Sequence, residues 1–160
     1  MLKALTIVFA LLFLITACQG ENAKTEEKAE VEMVGYTLLV QGIQSGISEA
    51  QDLIIDNKAA MDSIWAAHYS YLDFSPEPPE INFDKDIVVG VFLGEKPTTG
   101  YWVKLDSIFI ENGEQIVLVS TNDKPSDDVD IVQMATQPFF MAATTKTKHN
   151  LKFEFVVEEQ

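Results

Sequence analysis

Apolar and polar positions alternate along much of this chain, and the period of that alternation predicts its elements. Tyr36, Leu38 and Val40 alternate with Thr37 and Leu39, a spacing that suits a strand. Gly42, Ser45 and Gly46 then mark a turn, and Asp52 to Asp56 encloses a short apolar strand. Met61, Ile64, Trp65 and His68 recur at i, i+3, i+4 and i+7, one face of an amphipathic helix that Asn57 is placed to cap. From Tyr71 to Asp84, Pro76, Pro78 and Pro79 exclude both helix interior and central strand, so this run is read as a surface loop.

The second half of the chain is a series of strands. Ile87 to Leu93 is almost wholly apolar and rich in β-branched residues, as expected of a strand covered on both faces. In Tyr101 to Ile110, Val103 and Leu105 have one parity while Ile108 and Ile110 have the other, which predicts a bulge at Asp106-Ser107. Asn112-Gly113 is the pair a type I′ hairpin turn favours, with Gln115 to Thr121 as the returning strand. Asn122 to Asp130 is an acidic loop containing Pro125. Ile131 to Ala135 and Phe139 to Ala143 read as two strands, or as one interrupted at Pro138. In Lys148 to Val157, Leu151, Phe153, Phe155 and Val157 are expected to face inward, and Lys152, Glu154 and Glu158 outward. The expected fold is α+β and β-rich: a mostly antiparallel sandwich or barrel-like sheet, with one amphipathic helix closing an end.

The first residues follow a different pattern. Lys3 precedes Ala4 to Ile15, which is apolar except for Thr6, and Ile15-Thr16-Ala17-Cys18 follows. The apolar run is short for a membrane span and suits the core of a signal peptide. Ile15 to Cys18 resembles the bacterial lipobox. That resemblance implies a signal peptide over residues 1–17, cleavage before Cys18, and lipid on the Cys18 thiol and new amine. The alternative is an ordinary secretory signal with a chance cysteine. Acyl chains anchor through burial of CH₂ groups, at about 0.8 kcal/mol each. Gln19, where the sorting rule of the resembled class reads Asp, points to the outer membrane if the cell has one. Residues 18–34 are rich in Glu, Lys and Ala and are expected to form an acidic linker, leaving residues 35–160 as a single globular domain.

Composition narrows the function classes. Cys18 is the only cysteine, so the domain is expected to contain no disulfide, no cysteine-held metal and no catalytic thiol. The net charge of −14, one unit more negative once Lys3 is removed, repels phosphate backbones and argues against a nucleic-acid partner. His68 falls on the apolar helix face, and His149 precedes the last strand; neither completes a metal site. Asp123, Asp127, Asp128 and Asp130 lack the glycine and terminal glutamate of a calcium loop. There is no nucleophile elbow of the Gly-x-Ser-x-Gly type. No cofactor, no metal and no enzymatic activity are expected.

The most informative stretch lies between two strands: Lys96, Pro97, Thr98, Thr99, Gly100, Tyr101 and Trp102. Pro97 fixes φ, Gly100 permits positive φ, and the two threonines can bond to neighbouring backbone, so the loop has a definite shape. Two aromatics at its exit suit an interface, or equally a core. Val91-Phe92-Leu93-Gly94-Glu95-Lys96-Pro97-Thr98-Thr99-Gly100-Tyr101 resembles the PrcB C-terminal domain family, over roughly residues 86–157. The resemblance implies a small lipoprotein with no known active site, associated with a protease complex of the cell envelope. Pro97 to Tyr101 also resembles the inhibitory loop of chagasin-type inhibitors of papain-like cysteine proteases. Lys96 stands where that motif has Asn, and the inhibitors' other two loops have no clear counterpart. The expected function is a membrane-anchored, non-enzymatic interaction protein whose partner is another envelope protein, a protease in one version. The alternatives are a cysteine-protease inhibitor and a hydrolase with an unfamiliar site.

Overall fold

The computed structural model describes residues 30–125 and 130–158. The expected signal peptide, Cys18 and most of the linker lie outside the described residues, as do Asp127 and Asp128. Along the described chain the elements are β1 (Glu32–Met33), β2 (Tyr36–Gly42), β3 (Ala50–Ile55), α1 (Lys58–His68), β4 (Asp86–Leu93), β5 (Val103–Glu111), β6 (Glu114–Asn122), β7 (Phe139–Thr145) and β8 (Asn150–Glu158). They form two four-stranded sheets, in the orders β1-β5-β6-β8 and β2-β7-β4-β3. The fold is a β-rich sandwich with one short helix, and the sheets do not close into a barrel.

Strand periodicity divides the core in two. Val89 and Val91 of β4 and Phe140 and Ala142 of β7 pack between the sheets, against Val103, Leu105 and Ile108 of β5 and Val117 and Val119 of β6. Residues of the other parity, Val88, Phe92, Phe139 and Met141, face away from that core and pack with Met61 and Trp65 of α1. The helix therefore covers the outer face of the second sheet and does not close an end as expected. This three-layer arrangement explains why Ile87 to Phe92 is buried without a break. Each fully buried side chain of this kind contributes about 1.5–3 kcal/mol.

Local chemistry sets the element boundaries. Asn57 caps α1, its Oδ1 accepting from Ala60 N at 2.9 Å. Trp65 Nε1 donates to Pro76 O at 2.8 Å, which pins the proline-rich loop to the helix. Asn112 and Gly113 both have positive φ, 51° and 80°, as a type I′ turn requires. The β5 register shifts between Leu105 and Ser107, where the parity change predicted it. Asp106 lies in this bulge and accepts from Lys104 Nζ at 2.8 Å and from Ser120 Oγ.

Three further expectations fail. In β2 a register shift between Leu38 and Val40 breaks the alternation, so Leu38 is exposed while Leu39 and Val40 pack toward the helix-side core. Ile131 to Ala135 is not a strand. No neighbouring strand offers it a ladder, and it crosses over the loop that follows β4, joined there by a bridge between Lys96 and Thr136. In β8, Leu151 and Phe153 pack against the core, but Phe155 and Val157 are exposed. β8 is an edge strand, paired in parallel with β6, and the opposite sheet does not cover its C-terminal half.

Candidate functional site

The loop from Lys96 to Trp102 joins one strand from each sheet, β4 and β5, so both its ends are held by the core. Polar groups fix its path. Lys96 N donates to Thr136 O at 2.8 Å, and Thr136 N returns a bond to Lys96 O at 2.9 Å. The buried Thr136 hydroxyl donates to Thr98 O at 2.9 Å. Thr99 N donates to Val132 O at 3.1 Å, while Thr99 Oγ1 accepts from Val132 N at 2.9 Å.

The exit is held from the end of β6. Buried Asn122 donates through Nδ2 to Gly100 O at 2.8 Å and to Lys124 O at 2.6 Å, and its Oδ1 accepts from Trp102 N at 2.9 Å. Thr121 Oγ1 donates to Trp102 O at 2.8 Å. Gly100 has φ of 91°, and a Cβ there would lie 2.7 Å from Pro125 Cβ and 2.9 Å from Ile131 Cδ1. Glycine is therefore required twice, by its dihedral and by the close approach of the segments that cross it.

The surface of this loop is mixed. Pro97 is exposed at its tip; Lys96, Thr98, Thr99, Gly100, Tyr101 and Trp102 are half-buried. Lys96 Nζ sits 5.5 Å from the centre of the Tyr101 ring, within cation–π range. Exposed Val132 and Met134 from the crossing segment lie beside it and extend the apolar surface. Sequence reading found the loop but missed the residues that hold it: Thr121, Asn122, Val132 and Thr136. A buried asparagine ending an apolar strand was the available signal, since burial without a partner would be costly.

His68 is fully buried, more than its place on the helix suggested, and packs among Trp65, Tyr69, Phe92 and Phe139. Its Nδ1 lies 3.0 Å from Ser45 Oγ, which also accepts from Ile47 N at 3.0 Å. Burial lowers the His68 pKa to about 4, so the ring is neutral at pH 7. A serine beside a neutral histidine is the start of a nucleophile pair. Here both side chains are enclosed, and their bond fastens the turn before β3 to the end of α1. His149 is half-buried in the turn before β8, with Nδ1 2.9 Å from Gly113 O. Among the described residues, no cluster of histidine, cysteine and carboxylate side chains could hold a metal.

A concavity of about 950 Å³ lies between α1 and the proline-rich loop and is lined in part by Met61, Trp65, Pro76, Pro79 and Phe83. Lys58, Asp62, Glu77 and Glu80 stand around it.

The two-sheet sandwich thus presents a braced, partly exposed loop between its sheets. Residues 87–144 match the family model described as PrcB C-terminal, which bears out the resemblance read from Val91 to Tyr101. The match runs from β4 into β7 and includes the whole loop; β8, inside the expected 86–157 span, lies beyond it. No curated protein and no solved structure matches the chain at a significant level.

Proposed function

We propose that this protein is a lipid-anchored, non-enzymatic interaction domain of the cell envelope, which binds a protein partner, a component of a protease complex, through Lys96 to Trp102. The observation that carries the reading is the bracing of this loop. Backbone and side-chain bonds from β6 and from residues 132–136 fix its path, while Pro97 stays exposed at the tip. A surface ordered before binding loses little entropy on contact, which is the economy a recognition loop needs. Support for a protease complex comes from the family match over the same residues. Support for the anchor comes from the Lys3 to Cys18 pattern.

The test is a pull-down from solubilised membranes with the intact chain. A defined partner is expected to co-elute, and Tyr101→Ala and Trp102→Ala are expected to weaken its recovery while far-UV circular dichroism stays unchanged. Cys18→Ser is expected to move the protein from the membrane to the soluble fraction. Recovery equal to the parent for both aromatic variants would remove the loop from the reading. Inhibition of a papain-like protease by the added chain would instead assign the loop to the inhibitor alternative.

A further inference from the structure

Residues 43–49, which join β2 to β3, touch both the end of α1 and the base of the Lys96 to Trp102 loop. On the helix side, Gly46 N donates to His68 O at 2.7 Å, and Ser45 Oγ sits 3.0 Å from His68 Nδ1. The approach is close, since a Cβ on Gly46 would strike Ala67 O and the Ser70 side chain. On the loop side, Glu95 N donates to Ser48 O at 3.0 Å, Gln137 N to Ile43 O at 2.8 Å, and Ser45 N to Gln137 Oε1 at 3.5 Å. Glu95 and Gln137 adjoin Lys96 and Thr136, whose paired backbone bonds close the base of the loop. Ser45 thus carries one bond toward the histidine and one toward the loop.

We propose that His68 is a positioning residue for the Lys96 to Trp102 loop, acting through residues 43–49, so that uptake of a proton by its ring releases the base of the loop. Release lowers the loop's hold on a partner, a consequence that rests on the function proposed above. In the neutral ring Nδ1 accepts the Ser45 hydroxyl proton, while Ser45 Oγ accepts from Ile47 N at 3.0 Å. A protonated ring donates from both nitrogens, so it can no longer take that proton, and the relay through Ser45 breaks. The surroundings offer the charge no compensation. α1 and the residues after it present Trp65, Tyr69 and Tyr71; β4 presents Phe92, β7 Phe139, and residues 43–49 Ser45. The two tyrosines are the titratable groups among these, and phenols carry no charge in acid. A ring that takes up a proton is therefore driven toward water, and the segment bonded to it moves too. Linkage sets the direction. Opening that brings the ring into water raises its pKa from about 4 to the ordinary 6.5. Opening is thus least favoured above pH 6.5 and gains as pH falls toward 4.

The test is amide hydrogen exchange, read by NMR on the full chain carrying Cys18→Ser in mild detergent and corrected for intrinsic rates. Val117, buried in β6, reports unfolding of the whole domain. At pH 7 Lys96 and Thr136 are expected to open more often than Val117. Between pH 7 and pH 5 their opening constant is expected to rise about twentyfold, as a pKa of about 4 moving to 6.5 requires. In His68→Asn it is expected to change less than about twofold, because asparagine keeps a bond to Ser45 without titrating. Ser45→Ala keeps the ring but removes its bond to residues 43–49. It is expected to raise opening at Lys96 and Thr136 more than at Val117 at pH 7, and it decides the matter if His68→Asn does not fold. Opening at Lys96 and Thr136 equal to that at Val117 would overturn the proposal. So would local opening indifferent to pH, an equal acid response in His68→Asn, or Ser45→Ala without its selective effect. These amides report on the loop with no partner present. Full partner recovery by Tyr101→Ala and Trp102→Ala would count against the proposed function and leave the exchange result standing.

Discussion

Asn122 grips Trp102 from the neighbouring strand: its Oδ1 accepts from the Trp102 amide at 2.9 Å, while its Nδ2 holds the carbonyl of Gly100 at 2.8 Å. One buried side chain thus fixes both sides of Tyr101. Asn122→Ala leaves the Trp102 amide and two carbonyls without these partners. The variant is expected to lose about 2 kcal/mol or more of stability in urea denaturation. It is also expected to bind the partner less well than its remaining folded fraction explains.

Gly100 and Gly113 both have positive φ, but only Gly100 is crowded. Gly113→Ala adds a methyl group in open space and is expected to cost about 1 kcal/mol, the backbone term alone. Gly100→Ala adds the same term and also drives a Cβ into Pro125 and Ile131. Its expected cost is about 3 kcal/mol, because those segments must lift away. Denaturation midpoints of the two variants, measured side by side, check the difference.

The buried His68 gives stability a dependence on pH. Its folded pKa of about 4 lies below the ordinary value of 6.5, so between these values the unfolded chain binds the extra proton. Its contribution is complete above pH 6.5 and declines as pH falls toward 4, by about 3 kcal/mol in all. Asparagine can keep a hydrogen bond to Ser45 without titrating. The gap between parent and His68→Asn is therefore expected to move in the variant's favour by that amount between pH 7 and pH 4. Urea titrations across that range read it.

Asp106 titrates in the opposite sense. Burial favours its neutral form, but the bonds from Lys104 and Ser120 outweigh that and hold its pKa below the ordinary carboxylate value. Its stabilisation is present above the unfolded pKa and is lost as pH falls through the folded one. Asp106→Asn is expected to be less stable than the parent at pH 7, and the two are expected to converge in acid. Thermal unfolding at pH 7 and pH 3 checks the convergence.

Features governed by neighbouring residues were legible in the sequence. The Asn57 cap, the Asn112-Gly113 turn and the bulge at Asp106 all follow from local chemistry or parity. The burial of Ile87 to Phe92 on both faces was also legible, since no polar residue interrupts it. Pairing partners were not. Hydropathy reports that a strand is covered but not by what, so the parallel alignment of β8 with β6 and the helix lying across a sheet face stayed hidden. Ile131 to Ala135 has strand-like composition, yet its polar backbone bonds to the loop over which it crosses. The site was legible as a Pro/Gly turn, whereas Thr136 and Asn122, distant in sequence, emerge only from the fold.

In the second sheet β7 lies between β2 and β4, and in the first β8 flanks β6. In the second sheet, then, β2, the first of its strands to be made, waits for β7, the last. Until residue 139 has emerged, β2 has no strand to pair with, and β4 keeps one edge bare. The growing chain therefore cannot complete either sheet in halves. Folding is deferred until β7 and β8 have emerged, and its rate is governed by encounters between strands distant in sequence.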